Sequence, residues 1–160
     1  MKKIIRTACI ISLILSCKNG TKKKVEASQN QIAMTTLEQE TTEIEKQQIH
    51  ALINTLFTAV DTRAWEAVKE TMADSVYTDY SALGGAMGFK TPSEILSDWK
   101  TLLPGFERTI HQVHNTAIWV ADNRATATMD AIATHYLNRD QWTVFVGYDT
   151  EYIKEDNQWK

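Results

Sequence analysis

No cysteine follows position 17. The two present, Cys9 and Cys17, lie near the start, so the folded body holds no disulfide, no thiolate metal site and no cysteine nucleophile. There are two prolines, and the six glycines form no phosphate-cradling pattern. No apolar run approaches the roughly 20 residues that a membrane-spanning helix takes. No basic stripe crosses the body either. The net charge is −3, and the first sixteen residues hold Lys2, Lys3 and Arg6 but no acid, so the rest is more acidic still. Nucleic acid is therefore not expected as a partner. What remains is ordinary: 160 residues, 43% hydrophobic and 23% charged. That is a one-domain length with globular composition, which excludes global disorder, collagen and a multi-span membrane protein.

Lys2, Lys3 and Arg6 precede a short apolar run from Thr7 to Leu15, the pattern of a secretory signal. Leu13-Ile14-Leu15-Ser16-Cys17 then resembles the lipobox of bacterial lipoproteins. The resemblance implies that residues 1–16 are a signal peptide and that Cys17 becomes an acylated N-terminus. It places the protein at the bacterial cell envelope, as a periplasmic or outer membrane lipoprotein bound to the membrane through its lipid. The alternative is an ordinary signal peptide with a chance cysteine. Each buried acyl methylene would contribute about 0.8 kcal/mol to anchoring. Residues 17–40 offer only Val25, Ile32, Met34 and Leu37 as large apolar groups, and are expected to form a flexible tether.

The domain is expected over 41–160. Ile49, Leu52, Ile53, Leu56, Phe57 and Val60 recur at helical spacing and predict a helix over about 42–61. Trp65 to Met72 predicts a second, short helix, and Ser75 to Tyr80 a strand. Ser81 to Lys90 reads as a loop whose Met87 and Phe89 would cover a cavity. Thr91-Pro92-Ser93-Glu94 is a helix start, with Thr as N-cap, Pro in the first turn and Glu closing a capping box. Arg108 to Val120, Ala125 to Leu137 and Trp142 to Ile153 are three long strands joined by hairpin turns. Trp159-Lys160 reads as the start of a further strand, the last of the domain being either dispensed with or cut off. Helices first and a long meander second make an α+β fold, in which a strongly curved sheet wraps the helices as an open cone.

Strand alternation assigns the inner face. Ala127, Met129, Ala131, Ala133 and His135 share one face, and their small side chains would leave a cavity. Trp142, Val144, Val146, Tyr148, Thr150 and Tyr152 share a face of the last long strand. His111 is expected inward with Val113, Asn115, Ala117 and Trp119, and His114 outward. Asp61 closes the first helix, where it either pairs with Arg63 in solvent or joins the two histidines. A lone strand histidine is more often a satisfied core residue than a base. An acid and two histidines converging on one interior change those odds.

Phe57-Thr58-Ala59-Val60-Asp61 with Trp65, then Asp79-Tyr80, Thr109-Ile110-His111, Thr134-His135, Tyr152 and Asp156-Asn157-Gln158-Trp159 resembles the SnoaL-like branch of the nuclear transport factor 2-like superfamily. Within that branch the pattern is similar to scytalone dehydratase. The resemblance implies a cystatin-like α+β barrel, with a curved mixed or antiparallel sheet around N-terminal helices. It implies His111 as a catalytic histidine, His135 as a second histidine bonded to Asp61, and Tyr80 as a group steadying a water on the substrate carbonyl. Two positions depart from the dehydratase pattern: Val60 stands where it has a tyrosine, and Val146 and Tyr148 where it has a polar pair.

A dehydration of that kind needs a base for an α-proton and an acid for the leaving hydroxyl, and imidazole serves both near neutral pH. Asp61, His111, His135 and Tyr80 are thus the candidate catalytic residues, and Trp65, Met129, Val146, Tyr148 and Trp142 the candidate ligand-binding wall. No cofactor or metal is expected; His50 and His114 offer no usable zinc spacing. The expected partner is a small apolar or aromatic molecule. Three readings stay open: a lyase or isomerase, a non-catalytic ligand-binding protein, and an interaction module that forms a homodimer through its sheet.

Overall fold

The computed structural model describes residues 18–160, in two compact units, one ending at Glu40 and one spanning Thr41–Lys160. The signal peptide and Cys17 lie outside the described residues. In the first unit the expected tether is helical, as the beginning of α1 (Lys18–Thr62), with Val25, Ile32, Met34 and Leu37 all exposed. Too little apolar surface prevents a core but not a helix. Lys, Glu, Gln and Ala are good helix formers, and a helix satisfies its own backbone.

In the second unit the apolar stripe of α1 is buried as expected. Ile49 and Ile53 pack with Ala125, Ala127, Met129 and Trp159 in one core cluster. A second cluster joins Ala59 and Val60 at the end of α1 to Val68 of α2 (Trp65–Glu70), Leu96 of α3 (Pro92–Leu102) and Leu103. Helix α3 starts with the expected capping box: the Glu94 N–H donates to Thr91 Oγ1 at 3.3 Å and the Thr91 N–H to Glu94 Oε2 at 2.7 Å.

Helix α1 ends in a left-handed residue, Arg63 at φ 58°. The Ala64 N–H reaches the Ala59 carbonyl at 2.8 Å and the Arg63 N–H the Val60 carbonyl at 3.1 Å. This pair of bonds is a Schellman motif, and it closes the helix one residue after Thr62. The Arg63 guanidinium then donates to the carbonyls of Leu103 and Phe106.

Strand β1 (Val76–Asp79) pairs with β2 (Met87–Lys90), so the second half of the expected loop is a strand. Tyr77 faces Phe89 edge-on at 5.3 Å, and Met87 and Phe89 are 59% and 75% exposed. These side chains lie open to solvent on the hairpin rather than folded over the core.

The large sheet runs β3 (Arg108–Ala121), β4 (Arg124–Leu137), β5 (Asp140–Glu155) and β6 (Gln158–Trp159), in sequence order and antiparallel throughout. It is curled, with the helices before it in the chain, which makes the fold α+β as expected. The Asp156-Asn157 turn before β6 has both residues at positive φ, the geometry of a type I′ hairpin. The inner face of β4 is as expected, with Ala127, Met129, Ala131 and Ala133 all buried.

Strand β3 departs from strict alternation. Its register shifts between His114 and Ala117, with Asn115 at φ 52° and its side-chain amide on Asp130 at 2.8 Å. This β-bulge sets two residues against one and turns the strand's faces over. Beyond it Ile118 and Val120 meet the core and Trp119 is 57% exposed, the reverse of the expected order.

Candidate functional site

Asp61 sits in the last turn of α1, held by the Schellman closure and by the burial of its neighbours Ala59 and Val60. It does not pair with Arg63, whose guanidinium is committed to the two carbonyls. Instead it meets β3, the edge strand of the sheet. Asp61 Oδ1 lies 2.6 Å from His111 Nδ1 and accepts the Thr109 hydroxyl at 2.8 Å, while Oδ2 accepts the His111 backbone N–H at 2.7 Å. The side chains of His111 and Asp61 are 12% and 19% exposed.

Burial alone would push the Asp61 carboxyl up. The His111 ring, the His111 backbone N–H and the Thr109 hydroxyl outweigh it and hold Asp61 below the usual carboxylate value. An ionised Asp61 requires a proton on His111 Nδ1; in the neutral form of the ring Nε2 is then the acceptor.

The expected bond between Asp61 and His135 is not made; the carboxylate pairs with His111. The reason is positional. Thr109 and His111 lie two apart on the edge strand and reach the helix end directly, whereas His135 lies one strand further in, opposite Thr109. The two imidazoles are 6.4 Å apart, centroid to centroid. His135 stacks on Trp142 at 4.9 Å with 11° between the planes, and meets Phe106 edge-on at 4.9 Å. Its Nδ1 is buried with no hydrogen-bond partner among the described residues. Burial first, and His111 second, lower its pKa against the opposing pull of the Ala133 carbonyl and Asp61, which favours the uncharged ring.

On the other side of His111, Phe57 lies at 5.3 Å and Tyr148 packs edge-on against Phe57 at 5.6 Å. Tyr148, Phe57, His111, His135, Trp142 and Phe106 thus form a continuous arc of rings beside one carboxylate.

Other expected site residues lie elsewhere. Trp65 packs on the second core cluster under the Lys100 ammonium, and Met129 is buried against Ile49 and Ile53. Val146 is half-buried opposite Ala131 and borders an open hollow of about 530 Å³ beside Gly147, Asp130 and Phe145, a hollow that neither Asp61 nor His111 lines. Tyr80 caps the short turn Ser81–Leu83. Burial pushes its hydroxyl up, with the Trp99 indole N–H opposing, and Tyr148, of the ring arc, is raised by its own burial first and by Tyr80 second, so Tyr80 stands beside the arc without touching the Asp61–His111 pair.

Thr109, Phe57 and Phe106 belong to the site and were assigned no role from sequence. Thr109 had a usable signal, two residues before His111 on the same strand face. Phe57 had one too, a helical turn before Asp61. Phe106 lies in an irregular segment and had none. Among the described residues no cluster of three or more His, Cys, Asp or Glu is placed to hold a metal.

Residues 42–160 match the family model for the SnoaL-like domain. Among solved structures, a candidate scytalone dehydratase from Novosphingobium aromaticivorans superposes with a TM-score of 0.69 at 18% identity, covering 76% of this chain and 82% of that one. Hexachlorocyclohexane dehydrochlorinase type 3 from Novosphingobium barchaimii does so with 0.63 at 19% identity, covering 73% and 81%. A nuclear transport factor 2-like protein with a cystatin-like fold, also from Novosphingobium aromaticivorans, reaches 0.66 at 15% identity, covering 79% and 83%. Among curated proteins none matches the chain significantly.

Proposed function

The chain belongs to the SnoaL-like domain family, and from that footing we propose that it binds a small, largely apolar ring compound beside Asp61 and His111 and abstracts a proton from it, as a cofactor-independent lyase or isomerase. The observation that carries this reading is the 2.6 Å contact between Asp61 Oδ1 and His111 Nδ1. It fixes one tautomer and leaves His111 Nε2 as the base.

The similar structures include two whose names are those of elimination enzymes, one for water and one for hydrogen chloride. An elimination of either kind removes a C–H proton from the carbon next to the one that bears the leaving group. In the proposed reaction His111 Nε2 takes that proton, the C–H pair becomes the new C=C bond, and the leaving group departs with its own bonding pair. Where the leaving group is hydroxide, imidazolium returns the proton and water is released. His135, neutral and facing the same ring arc, is the second polar group available to the substrate. Phe57, Tyr148 and Trp142 supply flat apolar contact.

The test is turnover of β-hydroxy ketones and halogenated cyclohexanes by the full chain, with ligand binding followed by Trp142 fluorescence. Asp61→Asn and His111→Ala are expected to lose about 10²–10⁴-fold in rate while still binding. Equal turnover by wild type and both variants would sink the proposal.

A second reading is favoured by Val60, 7% exposed in the second core cluster where the dehydratase pattern has a polar group. In it the site only holds its ligand. Binding that survives in both variants, without turnover in any protein, selects it.

The envelope anchor belongs to the same proposal: acylation at Cys17 would hold the domain at the bacterial membrane. Cys17→Ser is expected to abolish fatty-acid labelling and to release the protein from membranes. A homodimer through the outer sheet face is supported by Phe145, 76% exposed and directly opposite Ile132. Phe145→Glu should then lower the mass measured by light scattering to that of one chain.

A further inference from the structure

We propose that Thr109 is a positioning residue for the Asp61–His111 base: its hydroxyl holds the carboxylate at the orientation in which Oδ1 meets the His111 ring, without touching substrate itself. The inference rests on reading that pair as the base, and it goes beyond that reading by assigning the pair's alignment to a third side chain.

Thr109 is one of two buried polar residues among those described, at 6% exposure. A hydroxyl so placed has to find a partner. It spends its proton on Asp61 Oδ1 at 2.8 Å, the same oxygen that lies 2.6 Å from His111 Nδ1. The other oxygen is held by the His111 backbone N–H at 2.7 Å.

Those three bonds have different jobs. The backbone bond ties the carboxylate to the strand whatever the ring does. By itself it leaves the carboxylate able to swing about that contact. The Thr109 hydroxyl adds a second fixed point on Oδ1 and stops the swing. Oδ1 is then presented to Nδ1 from a set direction, and the ring is bound to one tautomer.

The strand supplies this arrangement cheaply. Residues two apart share a face, so Thr109 and His111 approach the end of α1 together. Across the ladder His111 faces Ala133, whose methyl offers no rival acceptor for the ring, and Thr109 faces His135. Because β3 is an edge strand, the His111 N–H can go to the helix end. The hydroxyl also stabilises the ionised carboxylate, opposing the effect of burial. Valine matches threonine in shape and lacks only the donor.

The test uses the full chain and three variants: Thr109→Val, Thr109→Ser and Asp61→Asn. The readouts are the ¹³C titration of the Asp61 carboxyl and the ¹⁵N shifts of the His111 ring, with thermal unfolding run alongside. Thr109→Val is expected to move the Asp61 midpoint up by about half a pH unit or more and to loosen the His111 tautomer. Thr109→Ser is expected to restore both. If Thr109→Val does not fold, Thr109→Ala removes the same donor without adding a group and is read in the same way. A Thr109→Val protein with wild-type Asp61 midpoint and wild-type His111 tautomer, in a series where Asp61→Asn alters the tautomer, overturns this inference alone. A tautomer indifferent to Asp61→Asn removes the base reading and this inference with it.

Discussion

The Asp61 carboxylate and the His111 ring, fifty positions apart in the chain, meet at 2.6 Å across the junction of a helix end and a sheet edge. One acid thereby closes an edge strand and fixes an imidazole. The alternative partner of Asp61, Arg63, is drawn away by the carbonyls of Leu103 and Phe106.

Removing the acid should therefore cost stability. Asp61→Ala leaves the Thr109 hydroxyl and the His111 N–H without their acceptor. A buried donor left unpaired costs about 1–3 kcal/mol, so urea unfolding should show a loss of that order. Asp61→Asn, which keeps an acceptor oxygen, should lose less. Equal losses would mean that the charge, not the hydrogen bonding, carries the effect.

Stability should fall in two steps on acidification. His135 has a lowered pKa in the folded state, so its unfolded form binds the proton first. Its contribution is complete above the unfolded value of about 6.5 and is lost as pH falls toward the lower folded value. Asp61 is lowered as well, so its contribution is complete above about 3.9 and is lost as pH falls through its folded value. Urea midpoints measured from pH 8 to pH 3 should show both steps. His135→Phe should remove the upper one and leave the lower.

Asn115 carries the bulge at φ 52°. Asn115→Ala keeps a Cβ in the left-handed region and loses the bond to Asp130. It should destabilise by about 1–2 kcal/mol, whereas Asn115→Gly should be much milder. Guanidinium unfolding of the two variants distinguishes them.

Ile49 is fully buried and Phe145 is 76% exposed. Ile49→Ala should cost about 2–5 kcal/mol, and Phe145→Ser about 0.5 kcal/mol or less in the monomer. Thermal unfolding at low protein concentration checks both.

Where local chemistry decides, the residues announce the structure. The capping box at Thr91 and Glu94 and the alternation of β4 each depend on neighbours a few positions away. What could not be read depends on distant partners. The bulge needs Asp130 to take the Asn115 amide, and it reverses which side of β3 is inward without changing the residue pattern. Strand β2 is marked by Met87 and Phe89 on its exposed face, so its apolar residues mimic a covering loop. The choice of His111 over His135 as the partner of Asp61 turns on which strand lies at the sheet edge, which no spacing along the chain encodes. The first helix begins far earlier than its apolar stripe, because helix formation there asks only for local backbone bonds.

The end of α1 governs more than its own closure. Arg63 grips the carbonyl of Phe106, and Phe106 leans on both His135 and Trp142 at about 5 Å. The placing of the Phe106 ring beside His135 and Trp142 is thus tied to a cation outside the ring arc, while the acid two residues earlier holds His111. Arg63 is also the left-handed residue that closes α1, so the same position anchors the carboxylate and the far rings at once. A change at Arg63 should therefore be felt at both places together.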